Sequence, residues 1–318
     1  MRIGAIDIGS NSIRLLVADF HPGADNDLVT IARAGEACRL GRGLDRTGHV
    51  DSVIAERAAV LAAEFARRAR SLGAERLVVG ATAALRKAEN GAEVAAAIGE
   101  RCGERVRVLS GEDEARLVYR SVVLGLGGPA RRSACVVFDL GGGSTEVVSG
   151  LGEQAGRWAS LPFGAVSLTE KYFDGGTPGQ DRLEDLEQEV GEQIMHGCAL
   201  MPASTPMLVG VGGTITVLAS LDRGLTTYEP ALIEGWAIEA ERLETLAERI
   251  LVSGEAERES WPVMGKGRAD IVLAGVLVVR LLTRRFPSRW LLASTQGLRY
   301  GLARLAAEGS GNDRLDAS

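Results

Sequence analysis

The chain has 318 residues, 46% of them hydrophobic and 25% charged, with a formal net charge of −6. This is a globular composition, long enough for two domains and too acidic for a general nucleic-acid binder. No segment approaches the roughly 20 uncharged apolar residues of a membrane span.

The N-terminus enters a strand pattern at once (Ile3, Ala5, Ile6). It has neither the basic start nor the long apolar stretch of a signal peptide, which points to a cytoplasmic protein with no membrane partner. Arg2 to Ile8 reads as a strand, and Ile13 to Phe20 as a second, joined by the hairpin-like turn Gly9-Ser10-Asn11-Ser12. Leu28 to Glu36 is a third strand. Asp51 is placed to cap a long Ala- and Arg-rich helix running to about Leu72. Strands at Arg76 to Ala81 and Val106 to Leu109 flank a helix at Ala92 to Arg101. Ser110-Gly-Glu-Asp-Glu then opens a helix reaching Leu124. The glycines, proline and two arginines of Gly125 to Ser133 mark a boundary, giving domains at 1–124 and 125–318.

After that boundary the opening pattern returns. Ile6-Asp7-Ile8-Gly9-Ser10-Asn11-Ser12 has a counterpart in Phe138-Asp139-Leu140-Gly141-Gly142-Gly143-Ser144, each copy following one apolar strand and preceding another. This is an internal repeat with the period of a small domain. Further strands at Gly156 to Leu161 and Met207 to Val211 fit the second copy. Helices at Arg182 to Leu200, Glu239 to Val252, Ala269 to Arg284 and Leu298 to Ala307 complete it, and Gly309 to Ser318 reads as a frayed tail.

The four cysteines (Cys38, Cys102, Cys135, Cys198) are far apart and form no C-x-x-C pair, which argues against structural zinc and a redox dithiol. The three histidines (His21, His49, His196) sit in no motif, so a Ser-His-Asp or Cys-His hydrolase has no support.

The chemistry gathers in the repeat. In Asp139-Leu-Gly-Gly-Gly-Ser-Thr-Glu146 a carboxylate ends one strand, and three glycines let the backbone turn its N–H groups outward. Ser144 adds a hydroxyl. Asp139 and Glu146 are equidistant from the turn, so a tight hairpin sets them face to face, where their repulsion calls for a cation between them. Mg²⁺, which takes oxygen ligands and keeps several waters, suits that arrangement, with Mn²⁺ as a substitute. In the N-terminal copy, Asp7 is placed to face the metal directly or through water. Ser10, Asn11 and Ser12 offer donors to phosphate, and Arg14 holds the position Glu146 holds in the other copy. Val211-Gly-Gly-Thr-Ile215 follows a strand and opens a helix, so the amides of Gly213 and Thr214 form an anion site. Arg86, at the end of a strand, is a bidentate phosphate partner. Glu112, Asp113 and Glu114 in the first turn of a helix fit either simple dipole complementarity or a base for an attacking water. Arg39-Leu-Gly-Arg42-Gly-Leu and Lys266-Gly-Arg268-Ala-Asp270 fit either the approach of a long anion or ordinary surface loops.

Together these segments resemble the exopolyphosphatase / guanosine pentaphosphate phosphatase family of the actin-like superfamily. The match adds Ser294-Thr-Gln-Gly-Leu-Arg-Tyr-Gly near the C-terminus and covers nearly the whole chain. The resemblance implies an α/β fold of two actin-like (ribonuclease H-like) lobes with an inter-domain active-site cleft. It implies Glu114, the acid directly before Ala115, as catalytic base, with Glu112 as the fallback. Asp139 and Glu146 match the family's other acidic active-site positions, and Arg86 its phosphate-holding arginine. Ser10 to Ser12, Gly142, Gly143, Ser144, Gly213, Thr214 and Arg268 would bind phosphate, and Asp7, Asp139 and Glu146 the metal. The implied reaction is metal-dependent hydrolysis of terminal phosphate from inorganic polyphosphate. The alternatives are the guanosine alarmone pppGpp as substrate, a sensor that binds such a ligand without turnover, and a small-molecule kinase, for which no adenosine or acceptor motif is seen. A homodimer is expected from the resemblance. Longer members carry extra helical domains, so this sequence resembles the short two-domain form.

Overall fold

The computed structural model describes residues 1–24, 27–173, 179–265 and 267–309. The chain divides into two compact units, one from Met1 to Gly125 rejoined by the segment from Gln296 on, the other from Leu126 to Thr295.

Unit 1 is built on a five-stranded sheet. Strands β1 (Arg2–Ile8), β2 (Ser12–Phe20) and β3 (Leu28–Ala37) form an antiparallel meander. β4 (Arg76–Ala81) and β5 (Val106–Val108) add in parallel beyond β1, giving the order β3-β2-β1-β4-β5. Parallel pairing needs crossovers, and the helices Ser52–Ser71 and Gly91–Cys102 supply them. Asp51 caps the first of these, its Oδ1 accepting from the amides of Val53 (2.9 Å) and Ile54 (3.1 Å). Ala58, Ala59, Ala62, Ala66 and Ala69 face the sheet. Their small size brings helix and strand so close that a Cβ on Gly4 would sit 2.9 Å from that of Ala69.

The helix Leu298–Ala307 covers the other face of this sheet, packing on β1, β2 and β4. This corrects the boundary read from the sequence, since the second unit ends at Thr295 rather than at the end of the chain. The cause is non-local burial. Arg304 is 1% exposed, and its guanidinium takes both carboxylate oxygens of Asp27 (2.8–3.0 Å), Ser121 Oγ (2.9 Å) and Gln296 Oε1 (3.1 Å). A buried cation demands such partners, and unit 1 holds them. Of the segment Gly309 to Ser318, read as a frayed tail, residues 310–318 lie outside the described residues.

Unit 2 repeats the plan. β6 (Ala134–Leu140), β7 (Thr145–Leu151) and β8 (Gln154–Leu161) form the meander. β9 (Met207–Gly212) and β11 (Trp290–Ser294) add in parallel, and β10 (Ala237–Glu239) closes the far edge antiparallel, giving β10-β11-β9-β6-β7-β8. Phe138, Leu140, Val147 and Leu161 enter a core shared with the helices Gln180–Gly197, Gly213–Arg223, Ala240–Val252 and Val272–Arg285. Because side chains alternate along a strand, Asp139, Glu146 and Ser160 lie on the opposite face. The helices Ala83–Lys87 and Ala165–Tyr172 and the strands β10 and β11 were not anticipated, each being too short for a repeating hydrophobic pattern to show.

Candidate functional site

The register of the two hairpins puts the repeat in physical terms. In unit 2 Asp139 pairs with Glu146 across β6–β7, and Glu146 pairs with Ser160 across β7–β8. In unit 1 Asp7 pairs with Arg14, and Arg14 with Gly35. One copy thus carries the row Asp–Glu–Ser and the other Asp–Arg–Gly. Gly35 lies beside the arginine, where a Cβ would make an ordinary contact with Arg14 Cγ at 3.5 Å.

The two turns are held from behind by the same device. In unit 1 the Ser10 carbonyl accepts from the Gly41 amide (2.9 Å), and the Asn11 carbonyl accepts from the amides of Cys38 (2.9 Å) and Arg39 (2.8 Å). Peptide planarity sets each following N–H opposite its carbonyl, so the amides of Asn11 and Ser12 point away from this strap. Arg39 holds φ at 56°, the sole positive value among described non-glycine residues. The basic loop Arg39 to Leu44, open to two readings in the sequence, is therefore the support of the Ser10–Ser12 turn, anchored by buried Leu40 and Leu44. The Asn11 Oδ1 is a buried acceptor with no hydrogen-bond partner among the described residues, an unmet group of the kind a ligand satisfies.

In unit 2 the support is the N-terminus of the helix Ala165–Tyr172. The amides of Ala165 (to Gly141 O, 3.0 Å), Val166 (to Gly142 O, 2.9 Å) and Ser167 (to Gly142 O, 3.1 Å) take the turn's carbonyls, so the amides of Gly142 and Gly143 point to the other side. Gly164 makes the approach possible, because a Cβ on it would stand 2.5–2.7 Å from backbone atoms of Gly141 and Gly142. Ser144 is buried, and its carbonyl closes the turn by accepting from the Gly141 amide.

The third loop is also tight. Gly212 has φ of 116°, where a Cβ would meet the Leu140 carbonyl at 2.5 Å. Gly213 opens the helix Gly213–Arg223 with the Arg268 guanidinium against it, 3.5 Å from the place of a Cβ. Thr214 is buried, and its Oγ1 would lie 2.2 Å from a Cβ on Gly275. Its hydroxyl therefore faces the helix Val272–Arg285, and the backbone amide is what Thr214 can offer an anion. Lys266 lies outside the described residues.

The acidic turn of unit 1 sorts itself by partner. Ser110 caps the helix Gly111–Leu126, accepting from the Asp113 amide (3.1 Å) and donating to Asp113 Oδ2 (2.6 Å). Glu112 pairs with Arg116 one turn on (2.6 Å), with both side chains about half exposed. Glu114 is buried, and its Oε2 meets Arg86 Nη1 at 3.1 Å, while that nitrogen also donates to the Leu109 carbonyl (2.8 Å). The helix Ala83–Lys87 carries Arg86 to this position.

Asp7 is buried, which pushes its carboxyl above the ordinary aspartate range, and the charges of Arg14 and Arg299 pull the other way. The carboxylate expected to face a metal thus has two guanidinium groups as charged neighbours, and Arg299 is a site residue the sequence reading did not single out. Among the described residues no three His, Cys, Asp or Glu side chains gather into a metal-holding group. Asp139 with Glu146 is a two-carboxylate, all-oxygen set, which fits a hard cation that completes its shell with water and ligand oxygens. All four cysteines are buried and free, and burial pushes the Cys135 and Cys198 thiols up to about 11, away from nucleophilic chemistry. No helix among the described residues is long and apolar enough to cross a membrane.

Comparison with known proteins matches this architecture. The model of the Ppx/GppA phosphatase family matches residues 16–305. Exopolyphosphatase 2 of Mycobacterium tuberculosis is 32% identical over 295 residues, covering 91% of this chain and 92% of that protein. Exopolyphosphatase 1 of Mycobacterium bovis is 30% identical over 322 residues, covering 100% and 92%. The crystal structure of the Aquifex aeolicus Ppx/GppA family member superposes with a TM-score of 0.81 at 27% identity, covering 98% of this chain and 99% of that one.

Proposed function

The chain belongs to the Ppx/GppA phosphatase family, and on that premise we propose that it is an exopolyphosphatase, a phosphoanhydride hydrolase that releases terminal phosphate from inorganic polyphosphate with a divalent cation. The observation that carries the mechanism is the division of labour in the acidic turn. Asp113 serves the helix cap, Glu112 serves a solvent pair, and Glu114 alone of the three is buried against an arginine.

Glu114 takes the proton of the attacking water. Arg86, fixed by the Leu109 carbonyl, orients the Glu114 carboxylate and offers a cationic fork to a phosphoryl group. The amides of Asn11 and Ser12 in unit 1, and of Gly142, Gly143, Gly213 and Thr214 in unit 2, donate to phosphate oxygens, with Arg268 beside Gly213 adding charge. Asp139 and Glu146 hold the cation. When bound, Mg²⁺ or Mn²⁺ neutralises charge spread over the phosphoryl oxygens. Asp7 faces the charges of Arg14 and Arg299, and with these cations beside it the N-terminal turn leans toward phosphate rather than metal.

The test is phosphate release from long-chain polyphosphate with and without Mg²⁺, with pppGpp in parallel. Metal-dependent release from polyphosphate is expected. Release from pppGpp alone would move the protein to the alarmone substrate, and release from neither by folded protein would overturn the reading. A second expectation follows from the turn supports. Gly164→Ala forces the Gly141–Gly142 backbone to shift, and a displacement near 1 Å costs about 10²-fold in rate. Steady-state phosphate release should fall by about that factor while the circular dichroism spectrum stays native.

A further inference from the structure

The row Asp139–Glu146 continues onto the edge strand β8, where Ser160 is the register partner of Glu146. The Ser160 hydroxyl donates to Glu146 Oε1 at 2.8 Å. A serine on an edge strand ordinarily spends its hydroxyl on water. Here it serves a carboxylate that is 2% exposed and directly opposite a second acid. Like charges opposed on neighbouring strands repel, and a glutamate, with three rotatable side-chain bonds, is free to swing away unless something fixes it.

We propose that Ser160 is a positioning residue for Glu146: by holding Oε1 from the β8 side it fixes the carboxylate in the row it shares with Asp139, where the two acids would hold a divalent cation. This rests on the reading of Asp139 and Glu146 as the cation-holding pair. The corresponding place in unit 1 is Gly35, opposite Arg14, where there is no carboxylate to orient. The hydroxyl thus occurs only in the copy with two acids. Groups that hydrogen-bond to metal ligands typically govern affinity by about 10–100-fold.

The experiment measures Mn²⁺ binding directly by electron paramagnetic resonance, together with the Mg²⁺ concentration for half-maximal phosphate release. It uses wild type, Ser160→Ala, Ser160→Thr and Ser160→Val. Removing the hydroxyl should weaken Mn²⁺ binding by about tenfold and raise the Mg²⁺ requirement in step, with little change in turnover at saturating Mg²⁺. Thr, which keeps the hydroxyl, should restore wild-type affinity, and Val, its near isostere without one, should not. The Thr and Val pair carries the test if the Ala variant is poorly folded. Unchanged affinity in the Ala and Val variants would overturn the proposal, as would equal weakening by Thr and Val, which would mark a packing role. Wild type that binds no Mn²⁺ overturns it as well. Wild type that binds Mn²⁺ yet releases no phosphate from polyphosphate would sink the functional reading alone, and the binding series would still decide the role of Ser160.

Discussion

Glu114→Gln should reduce phosphate release from polyphosphate by about 10²–10⁴-fold, the range of a lost general base, or about 2.7–5.4 kcal/mol of barrier at 1.36 kcal/mol per tenfold. The substitution is close to isosteric. The Gln amide oxygen can still accept from Arg86 Nη1, which Glu114 meets at 3.1 Å, so the buried arginine contact survives and the fold should persist. The paired control is Glu112→Gln. Glu112 is half-exposed and pairs with Arg116 at i,i+4, an interaction worth about 0.3–0.5 kcal/mol of stability with no part in the proposed proton transfer, so its loss should leave turnover within about threefold. Polyphosphate hydrolysis under saturating Mg²⁺, with thermal melts of both variants, reads the contrast. A Glu114→Gln enzyme that is folded and active, or a Glu112→Gln enzyme that is folded and dead, would reassign the base.

That contrast also marks where sequence reasoning reached its limit. Three acids in one helical turn look alike in a string of letters. They are separated by what each one touches, namely a cap serine, a half-exposed i,i+4 pairing with Arg116, and an arginine delivered from a different helix. By contrast, the opposition of Asp139 and Glu146 was legible, because a hairpin closed by a glycine turn fixes its own register, and side-chain alternation then fixes the face. The same logic read Arg14 as the counterpart of Glu146.

What stayed hidden was contact at a distance. The strap from Cys38 to Gly41 meets the Ser10–Asn11 turn through backbone hydrogen bonds, and no residue type announces such a contact. Gly164 is one of 41 glycines, and only its closeness to the Gly141–Gly142 backbone gives it meaning. Likewise the return of the helix Leu298–Ala307 to unit 1 depends on Arg304 finding Asp27, a partner nearly the whole chain length away. The glycine-rich loops themselves were readable because tight turns restrict residue choice locally.

Asp139→Asn should bring the other large loss, and here a measurement on stability separates the metal role from simple damage. The substitution keeps shape and leaves one charge where the proposed cation-holding pair has two. Mg²⁺ held by one or two carboxylates with water and ligand oxygens then loses half its protein-borne charge, and activity at a fixed, modest Mg²⁺ concentration should fall by about 10²-fold or more. A cation that binds the folded state alone stabilises it by mass action, by about 2.7 kcal/mol when present at 100 times its dissociation constant. Wild type should therefore melt at a temperature that climbs with Mg²⁺, while Asp139→Asn should melt at a temperature nearly independent of it. Glu146→Gln should behave in the same way, since both acids lie in one register row. Asp7→Asn should keep the Mg²⁺-dependent climb, because the charged neighbours of Asp7 are Arg14 and Arg299. If all three variants respond to Mg²⁺ as wild type does, the cation is not held by this pair. If Asp7→Asn also loses the response, the N-terminal turn contributes to the metal after all.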